Sequence, residues 1–408
     1  MSQIEELVER LCPDGVTHVS LGNVVAYSTT TIDASELTET TFVGVDNLLP
    51  NKAGKTTARH GPNTARVTQF QEGDVLLGNI RPYLRKIWLA DHSGGCSGDV
   101  LCIRIHDTSE ISPGFLFQVL GSESFFRFFT KHSRGAKMPR GDKKEVLKYV
   151  LPVPPLEVQH EIVKILDTFT DLEAELEAEL EARRAQYEYY RDQLLSFNET
   201  PPQIRWVTLN DTGIFYSGLT GKTKSDFDRG ESLFIPYMNV FQNPTTDLTD
   251  TRHVSIGPDE RQNRVQHGDI LFTLSSENLN ECATSSVIRG QPEANLFLNS
   301  FCFGLRPSHT DGLDLPYLSH VFRSRAFRKE IPKAAAGVTR FNVSRTRFGK
   351  LMIPIPPLDR QRAIGRTLDS FDTLVNGLTS GLPAELNARR QQYEYYRDKL
   401  LTFKELKS

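Results

Sequence analysis

The chain has few cysteines and no long apolar run, and these absences exclude several classes of protein. Its 408 residues include five cysteines, an odd number in which no C-x-x-C pair occurs. A disulfide framework and a structural zinc site both need cysteines at characteristic spacings, so neither is expected. No apolar stretch reaches the roughly 18 residues of a membrane-spanning helix, and the acidic first dozen residues do not resemble a signal peptide. We therefore expect a soluble, cytoplasmic protein.

Catalytic motifs are also missing. Gly54-Lys55-Thr56 and Gly221-Lys222-Thr223 resemble the end of a phosphate-binding loop, but Leu49 and Tyr216 replace the earlier glycine that such a loop needs. No second histidine follows His160 at the spacing of a zinc hydrolase, and no G-x-S-x-G nucleophile elbow occurs. The sequence therefore predicts a protein with no catalytic centre, metal site or cofactor of its own.

A net charge of −3 gives no sign of a polyanionic partner, but the charge is sorted along the chain. Residues 127–144 hold seven Lys/Arg against one acid, and residues 323–350 hold nine against one. Residues 166–182 hold seven acids and no base. A charged run is often only a solvated surface. A protein that binds DNA phosphates at two separate places, however, needs two basic regions at matching positions.

The chain contains an internal duplication, in which the C-terminal parts of the two copies are similar and their interiors differ. Residues 182–197 and 388–403 are identical at thirteen of sixteen positions, and residues 153–169 and 355–371 at eight of seventeen. Upstream the likeness fades to short matches such as Gly73-Asp74-Val75-Leu76 with Gly268-Asp269-Ile270-Leu271 and Phe42–Asn47 with Phe234–Asn239. The similar ends are therefore expected to have the same function in both copies, and the different interiors to have two different functions.

Each copy mixes short β-type runs with turns and short helices, and then meets a proline cluster followed by a long helical pattern. The fold class is therefore α+β: two domains of mixed β structure, joined by two long helices that form an antiparallel coiled coil, in a pseudo-twofold internal repeat. An ordinary amphipathic helix packed on its own domain is the alternative. The second helix is expected to be kinked or interrupted near Gly377, Gly381 and Pro383. The predicted segments are 1–152, 153–200 (first helix), 201–354 and 355–408 (second helix).

The duplicated helix starts carry a specific motif, Pro-Pro-Leu-x-x-Gln-x-x-Ile-x-x-x-Leu-Asp. Its residues are Pro154, Pro155, Leu156, Gln159, Ile162, Leu166 and Asp167 in copy one and Pro356, Pro357, Leu358, Gln361, Ile364, Leu368 and Asp369 in copy two. With the Arg-Arg-x-Gln-Tyr-Glu-Tyr-Tyr-Arg-Asp ends and a spacer of x-Ala-Glu-Leu units, this pattern resembles the specificity subunits of type I restriction–modification systems. The resemblance covers essentially the whole chain.

The resemblance implies a non-catalytic subunit that binds double-stranded DNA. Each of its two target-recognition domains would read half of a bipartite target, and the paired helices would set the gap. Two modification subunits, which methylate adenine, would dock on the chain, and the presence of restriction subunits is left open. S-adenosylmethionine, ATP and Mg²⁺ are expected on those partner subunits rather than on this chain.

The candidate DNA-binding residues lie in a basic, aromatic loop of copy one and in the two basic regions. In copy one they are Asn79, Arg81, Tyr83, Arg85, Lys86, Lys131, Arg134, Lys137, Arg140, Lys143 and Lys144. In copy two they are Arg323, Arg325, Arg328, Lys329, Arg340, Asn342 and Arg345. The counterpart of the copy-one loop, Ser275-Ser276-Glu277-Asn278, is polar but not basic, so the two copies would read different sequences.

The repeated helix ends supply candidate docking residues for the modification subunits, namely Arg183, Tyr187, Tyr190, Arg389, Tyr393 and Tyr396. The alternative is that these tyrosines fill the seam between the helices. Two other readings of the chain stay open: a non-catalytic scaffold for protein assembly that does not bind DNA, and an enzyme whose site has no recognised motif.

Overall fold

The computed structural model describes residues 3–197, 204–309, 311–377 and 381–406. The chain forms two compact units: unit 1 comprises Met1–Glu177 and Glu385–Ser408, and unit 2 comprises Ala178–Ala384. The four segments predicted from the sequence are continuous stretches of chain, whereas the two units group residues that pack together, so unit 1 combines two separate stretches. Each unit takes one recognition domain and a part of the helical region from both copies.

Unit 1 contains the recognition domain of copy one, in which short strands alternate with short helices. Its strands are Thr17–Ser20, Val25–Tyr27, Thr31–Asp33, Phe42–Val43, Arg66–Phe70, Val75–Gly78, Ile87–Leu89, Gly94–Cys96, Val100–Ile105, Ser133–Arg134, Arg140–Gly141 and Val150–Val153. Its short helices are Gln3–Leu11, Leu21–Val24, Pro113–Leu120, Glu123–Lys131 and Lys143–Val146, with 3-10 turns at Ala34–Glu36, Pro50–Lys52 and Pro82–Leu84.

Unit 2 contains the recognition domain of copy two, which is also built from short strands and short helices. Its strands are Arg205–Thr208, Gly213–Ser217, Phe227–Ile235, Arg252–Val254, Ile270–Thr273, Ser275–Ser276, Ser285–Val287, Leu296–Leu298, Cys302–Pro307, Ala335–Ala336, Phe341–Val343 and Met352–Ile355. Its short helices are Leu209–Thr212, Tyr237–Gln242, Leu315–Arg323, Arg325–Arg328 and Arg345–Phe348, with 3-10 turns at Lys224–Asp226, Leu279–Glu281 and Ile331–Lys333.

Both recognition domains are built on an antiparallel four-stranded sheet with the same order. In unit 1 the order is Val25–Tyr27, Val100–Ile105, Val75–Gly78 and Ile87–Leu89. In unit 2 it is Gly213–Ser217, Cys302–Pro307, Ile270–Thr273 and Ser285–Val287. The two interiors therefore keep one topology although little of their sequence matches.

The Gly-Asp match within the interiors marks a buried ion pair. In unit 1 the Asp74 carboxylate accepts a hydrogen bond from Arg104 at 2.6 Å, and in unit 2 Asp269 accepts one from Arg306 at 2.7 Å. Both carboxylates are nearly fully buried, and a buried carboxylate needs such a partner. The repeated aspartate is therefore a structural residue of the sheet.

The repeated glutamine of the helix motif holds each helix start against its recognition domain. Gln159 accepts a hydrogen bond from the Ser112 backbone N–H and donates to the carbonyl oxygens of Glu110 and Pro154, each at 2.8 Å. Gln361 makes the same three kinds of hydrogen bond, with Asp314, Gly312 and Pro356. Both glutamine residues are completely buried, so this motif position satisfies loop backbone groups that water cannot reach.

The first long helix runs from Leu156 to Leu194, 39 residues, as predicted. The second is interrupted: one helix ends at Asn376 and the next begins at Leu382, which confirms the predicted break. At Gly381 the backbone has φ +86°, and a Cβ there would lie 2.5 Å from the Leu374 carbonyl oxygen. Glycine is needed at this point because an L side chain would clash.

Within each unit the two helical parts run antiparallel. In unit 1, Glu173 forms an ion pair with Arg390 at 2.5 Å, and Phe169 stacks on Tyr396 with ring centroids 5.6 Å apart. In unit 2, Phe371 stacks on Tyr190 at 6.0 Å. In unit 1, a residue further along the first helix therefore contacts a residue that comes earlier in the last helix, as antiparallel packing requires. The helices pack on each other as predicted, and the alternative of a helix packed only on its own domain does not hold.

Candidate nucleic-acid interface

Two segments that the sequence marked separately meet in unit 1. The Arg81 backbone N–H donates to the Pro139 carbonyl oxygen at 2.7 Å, and the Gly141 N–H donates to the Asn79 carbonyl oxygen at 3.1 Å. Residues 79–86, which we call reading loop 1, therefore lie beside the hairpin of residues 133–141. At Gly141 a Cβ would lie 1.9 Å from the Phe129 ring, so the close contact requires glycine.

The same arrangement recurs in unit 2. Ser275 pairs with Asn342 and Ser276 with Phe341 in antiparallel register, and Arg340 Nε donates to Ser275 Oγ at 3.1 Å. The guanidinium of Arg340 also lies 5.2 Å from the centre of the Phe301 ring, and half of Phe301 is exposed. The non-basic loop 275–278, reading loop 2, thus occupies the place of reading loop 1.

Most candidate DNA-binding residues of unit 1 are exposed around this junction. Arg134 and Arg140 are exposed but form surface ion pairs with Asp142 at 3.1 Å and Asp99 at 3.2 Å. Such pairs are weak and exchange readily for phosphate. The other exposed candidates are Arg81, Tyr83, Lys131, Lys137, Lys143 and Lys144.

Three candidates of reading loop 1 are held in internal contacts instead. Asn79 is buried. The Lys86 ammonium donates to the Val45 carbonyl oxygen at 2.6 Å, and burial lowers its pKa. Arg85 is bound by Glu123 at 2.9 Å. Asn79 and Lys86 therefore shape the loop and are not expected to touch DNA, whereas Arg85, whose side chain is 36% exposed, stays a candidate.

In unit 2 two candidate arginines are structural. Arg323 donates to the carbonyl oxygen of Ser285 at 2.6 Å and to that of Phe241 at 3.1 Å, and burial lowers its pKa to about 10. Arg328 donates to the Ala283 carbonyl oxygen at 2.8 Å. Both are therefore removed from the proposed DNA-contacting set. The exposed candidates that remain are Arg325, Lys329, Arg340, Asn342 and Arg345.

The hairpin tips carry exposed apolar residues that the charge pattern did not indicate. Met138 is 48% exposed and Val338 is 93% exposed, and each lies between a glycine and an arginine. Apolar side chains beside basic ones suit contact with thymine methyl groups in the major groove. The feature of the sequence that could have indicated these two residues is an apolar side chain in an otherwise polar turn.

The candidate docking residues divide into two kinds. Tyr187 is buried, and its hydroxyl lies 3.1 Å from His320 Nδ1. Tyr393 is partly buried, and its hydroxyl donates to Gln118 at 3.1 Å. These two hydroxyls therefore lie against short helices of the recognition domains of their own units, Leu315–Arg323 and Pro113–Leu120. Arg183 and Arg389 are exposed, and Tyr190 and Tyr396 are exposed residues that also stack on Phe371 and Phe169 of the facing helix.

In the described ranges no group of three or more His, Cys, Asp or Glu residues could hold a metal ion. All five cysteines lie in those ranges, are buried, and form no disulfide. Among the described helices none is long and apolar enough to cross a membrane.

Comparison with known proteins identifies the family. The type I restriction modification DNA specificity domain matches twice, over residues 13–182 and 205–388. The chain belongs to this family. It is therefore a DNA specificity subunit, the non-catalytic component of its system. The predicted resemblance is confirmed.

Individual relatives agree with this assignment. A type I restriction enzyme specificity subunit of Escherichia coli is 34% identical over 258 residues, 62% of this chain and 61% of that protein. The chain thus spans about three fifths of that relative. A putative type I specificity subunit of Haemophilus influenzae is 28% identical over 344 residues, 82% of this chain and 81% of that protein.

Two solved structures share the fold. One comes from a study of complex assembly and conformational transition of the type I R-M system, with a TM-score of 0.65 and 20% identity, covering 95% of this chain and 98% of that one. The other is the S subunit from M. genitalium, with a TM-score of 0.51 and 14% identity, covering 95% and 96%.

Proposed function

We propose that unit 1 and unit 2 each read one half of a bipartite DNA target, and that the shared long helix sets the gap between the halves. The observation that carries this is the matched pair of surfaces, in which a loop and a glycine-led hairpin meet at the same place in both units. The two loops differ in charge, so the half-sites differ. Exposed arginine and lysine side chains supply phosphate contacts, and the hairpin tips supply contacts to base edges.

The repeated helix ends support two docking places for modification subunits. Arg183 and Arg389 are both exposed, and each pairs with a glutamate one turn earlier, Glu179 and Glu385. One surface presented twice fits two copies of one partner. S-adenosylmethionine, ATP and Mg²⁺ would be bound by the partner subunits, which would carry out methylation and, where restriction subunits join, cleavage.

Two measurements test this function. Long-read methylation sequencing of the host, with and without the gene, should show a bipartite motif whose methylation depends on the gene. The purified chain with modification subunits should bind a duplex carrying that motif, with an affinity that falls steeply as salt rises. A protein scaffold would show neither gene-dependent methylation nor salt-dependent DNA binding, and that result would refute the proposal.

A further inference from the structure

An ion cluster joins the turn Pro50–Lys52, which contacts reading loop 1, to the C-terminal helix Leu382–Leu400. The Lys52 ammonium, at the end of the turn Pro50–Lys52, donates to the Glu394 carboxylate. The Lys52 side chain is only 15% exposed. Asn51 and Lys52 both adopt positive φ, 55° and 63°, a backbone conformation that non-glycine residues rarely take. The turn is thus held in a strained shape that directs this lysine at the helix.

Arg397 completes the cluster. It also donates to Glu394, and its guanidinium lies 4.9 Å from the centre of the Tyr393 ring. Its side chain is 2% exposed. Two cations therefore share one carboxylate. The Glu394 side chain is 38% exposed, but both cations are largely buried, so removing the carboxylate would leave two poorly hydrated charges uncompensated.

The backbone of Lys52 connects the cluster to reading loop 1. Its N–H donates to the carbonyl oxygen of Arg85 at 2.9 Å, and the N–H of Leu84 donates to that of Arg81 at 2.8 Å. Arg81 and Arg85 both adopt left-handed backbone angles, with φ 52° and 54°. The turn that presents Arg81 and Tyr83 is therefore attached, through one peptide hydrogen bond, to a residue fixed by the C-terminal helix.

Unit 2 lacks this cluster. The offset of 192 that aligns Phe42–Asn47 with Phe234–Asn239 places Pro244 opposite Lys52, and the helix repeat places Glu188 and Arg191 opposite Glu394 and Arg397. The structure agrees, because Pro244, Glu188 and Arg191 line one cavity of about 150 Å³. Proline has neither a charge nor an N–H to donate, and the nearest acid to Arg191 is Asp192 at 3.5 Å.

We propose that Lys52, Glu394 and Arg397 are positioning residues for base reading by unit 1, so that discrimination at one half-site depends on the C-terminal helix while discrimination at the other does not. This inference rests on the proposed function. The cluster does not touch DNA. It fixes the backbone from which Arg81 and Tyr83 project, and a displaced loop would bind phosphates but read bases poorly.

The experiment uses the full chain assembled with its modification subunits and duplexes carrying the mapped target. Each duplex has a single base-pair substitution in one half-site or the other, and the ratio of affinities for the intact and substituted duplexes gives the discrimination. Arg81→Ala and Arg340→Ala assign the half-sites of unit 1 and unit 2. Lys52→Met and Glu394→Gln test the cluster, Lys52→Arg keeps its charge, and Glu188→Gln is the matched control in unit 2.

Lys52→Met and Glu394→Gln should lower discrimination at the unit 1 half-site by about tenfold, the effect of losing one good base contact. Discrimination at the other half-site should stay unchanged, Lys52→Arg should retain most of the wild-type value, and Glu188→Gln should have no effect. Unchanged discrimination in both cluster variants, or an equal loss at both half-sites, would overturn the inference. A wild-type complex that does not discriminate at either half-site would instead overturn the proposed function.

Discussion

Tyr190 stacks on Phe371, with ring centroids 6.0 Å apart and ring planes 18° apart. Tyr190 belongs to the end of copy one and Phe371 to the helix start of copy two. The equivalent pair, Tyr396 and Phe169, stacks in unit 1 at 5.6 Å and 23°. Each helix end therefore packs on the helix start of the other copy. Equivalent residues of the two copies therefore make equivalent contacts.

Deleting Glu173–Leu176 should shorten the gap in the DNA target by one or two base pairs while leaving both half-sites unchanged. Removing four residues shortens a helix by about 6 Å and rotates its end by about 40°. Arg390 contacts Glu173 and Glu177, and after the deletion Glu177 and Glu181 would take their places, so the seam in unit 1 is preserved. Methylation mapping of the variant measures the gap.

The control keeps the length and changes the charge. Glu173→Gln combined with Glu175→Gln should leave the gap as it is. If the deletion also leaves the gap unaltered, the helix does not act as a ruler.

Arg340→Ala and Arg323→Ala should separate DNA binding from folding. Arg340 is exposed at the hairpin, so its loss should weaken DNA binding and reduce the slope of log affinity against log salt by about one. Arg323 bonds buried carbonyl oxygens of Ser285 and Phe241, so its loss should lower the free energy of unfolding by about 3 kcal/mol. Urea unfolding and fluorescence anisotropy with a target duplex measure the two effects. Reversed results would show that the surface has been assigned incorrectly.

Asp369 and Asp167, which are equivalent in the two copies, should respond to acid in opposite directions. Burial of Asp369 opposes its ionisation, but hydrogen bonds from His320 and Arg289 outweigh burial and hold its pKa below the usual 3.8. Burial, followed by the nearby charge of Asp171, raises the pKa of Asp167 above 3.8. A carboxyl with a lowered pKa stabilises the fold above pH 3.8, and this contribution is lost as the pH falls. A carboxyl with a raised pKa destabilises the fold above pH 3.8, and this cost disappears as the pH falls.

Asp369→Asn should therefore destabilise the protein at pH 6, and its difference from the wild type should shrink as the pH falls below 3.8. Asp167→Asn should become more stable relative to the wild type as the pH rises from about 3 to 6. Urea midpoints across this range measure both. Parallel curves for the two variants would contradict the prediction.

Reversing the charge of Arg183 and Arg389 together should weaken assembly with the modification subunits. Each arginine forms an ion pair with a glutamate on its own helix, at 3.3 Å and 3.5 Å. Such exposed pairs contribute about 0.5 kcal/mol or less, so the Glu variants should remain folded. Size-exclusion chromatography of the mixed subunits measures assembly. The double variant in which both arginines are replaced by glutamine is the milder control. An intact complex with the charge-reversed variant would show that docking lies elsewhere.

The sequence by itself determined the duplication, the α+β class, the long first helix and the break in the second. These features depend on local preferences, such as proline at a helix start and apolar spacing along a helix, which can be read from neighbouring residues. The helix motif also carried the resemblance to the family. Its glutamines, Gln159 and Gln361, accept equivalent backbone hydrogen bonds in the two copies.

Only the tertiary structure decided which charged residues are free to act. Arg323 and Arg340 look alike in a basic run, yet the first is partly buried and hydrogen-bonded to carbonyl oxygens, whereas the second is exposed. Lys52 and Glu394 are 342 positions apart in the chain, so no local pattern connects them. Which carbonyl or carboxylate lies beside a given cation is set by how distant segments pack, and that packing places the C-terminal helix behind reading loop 1.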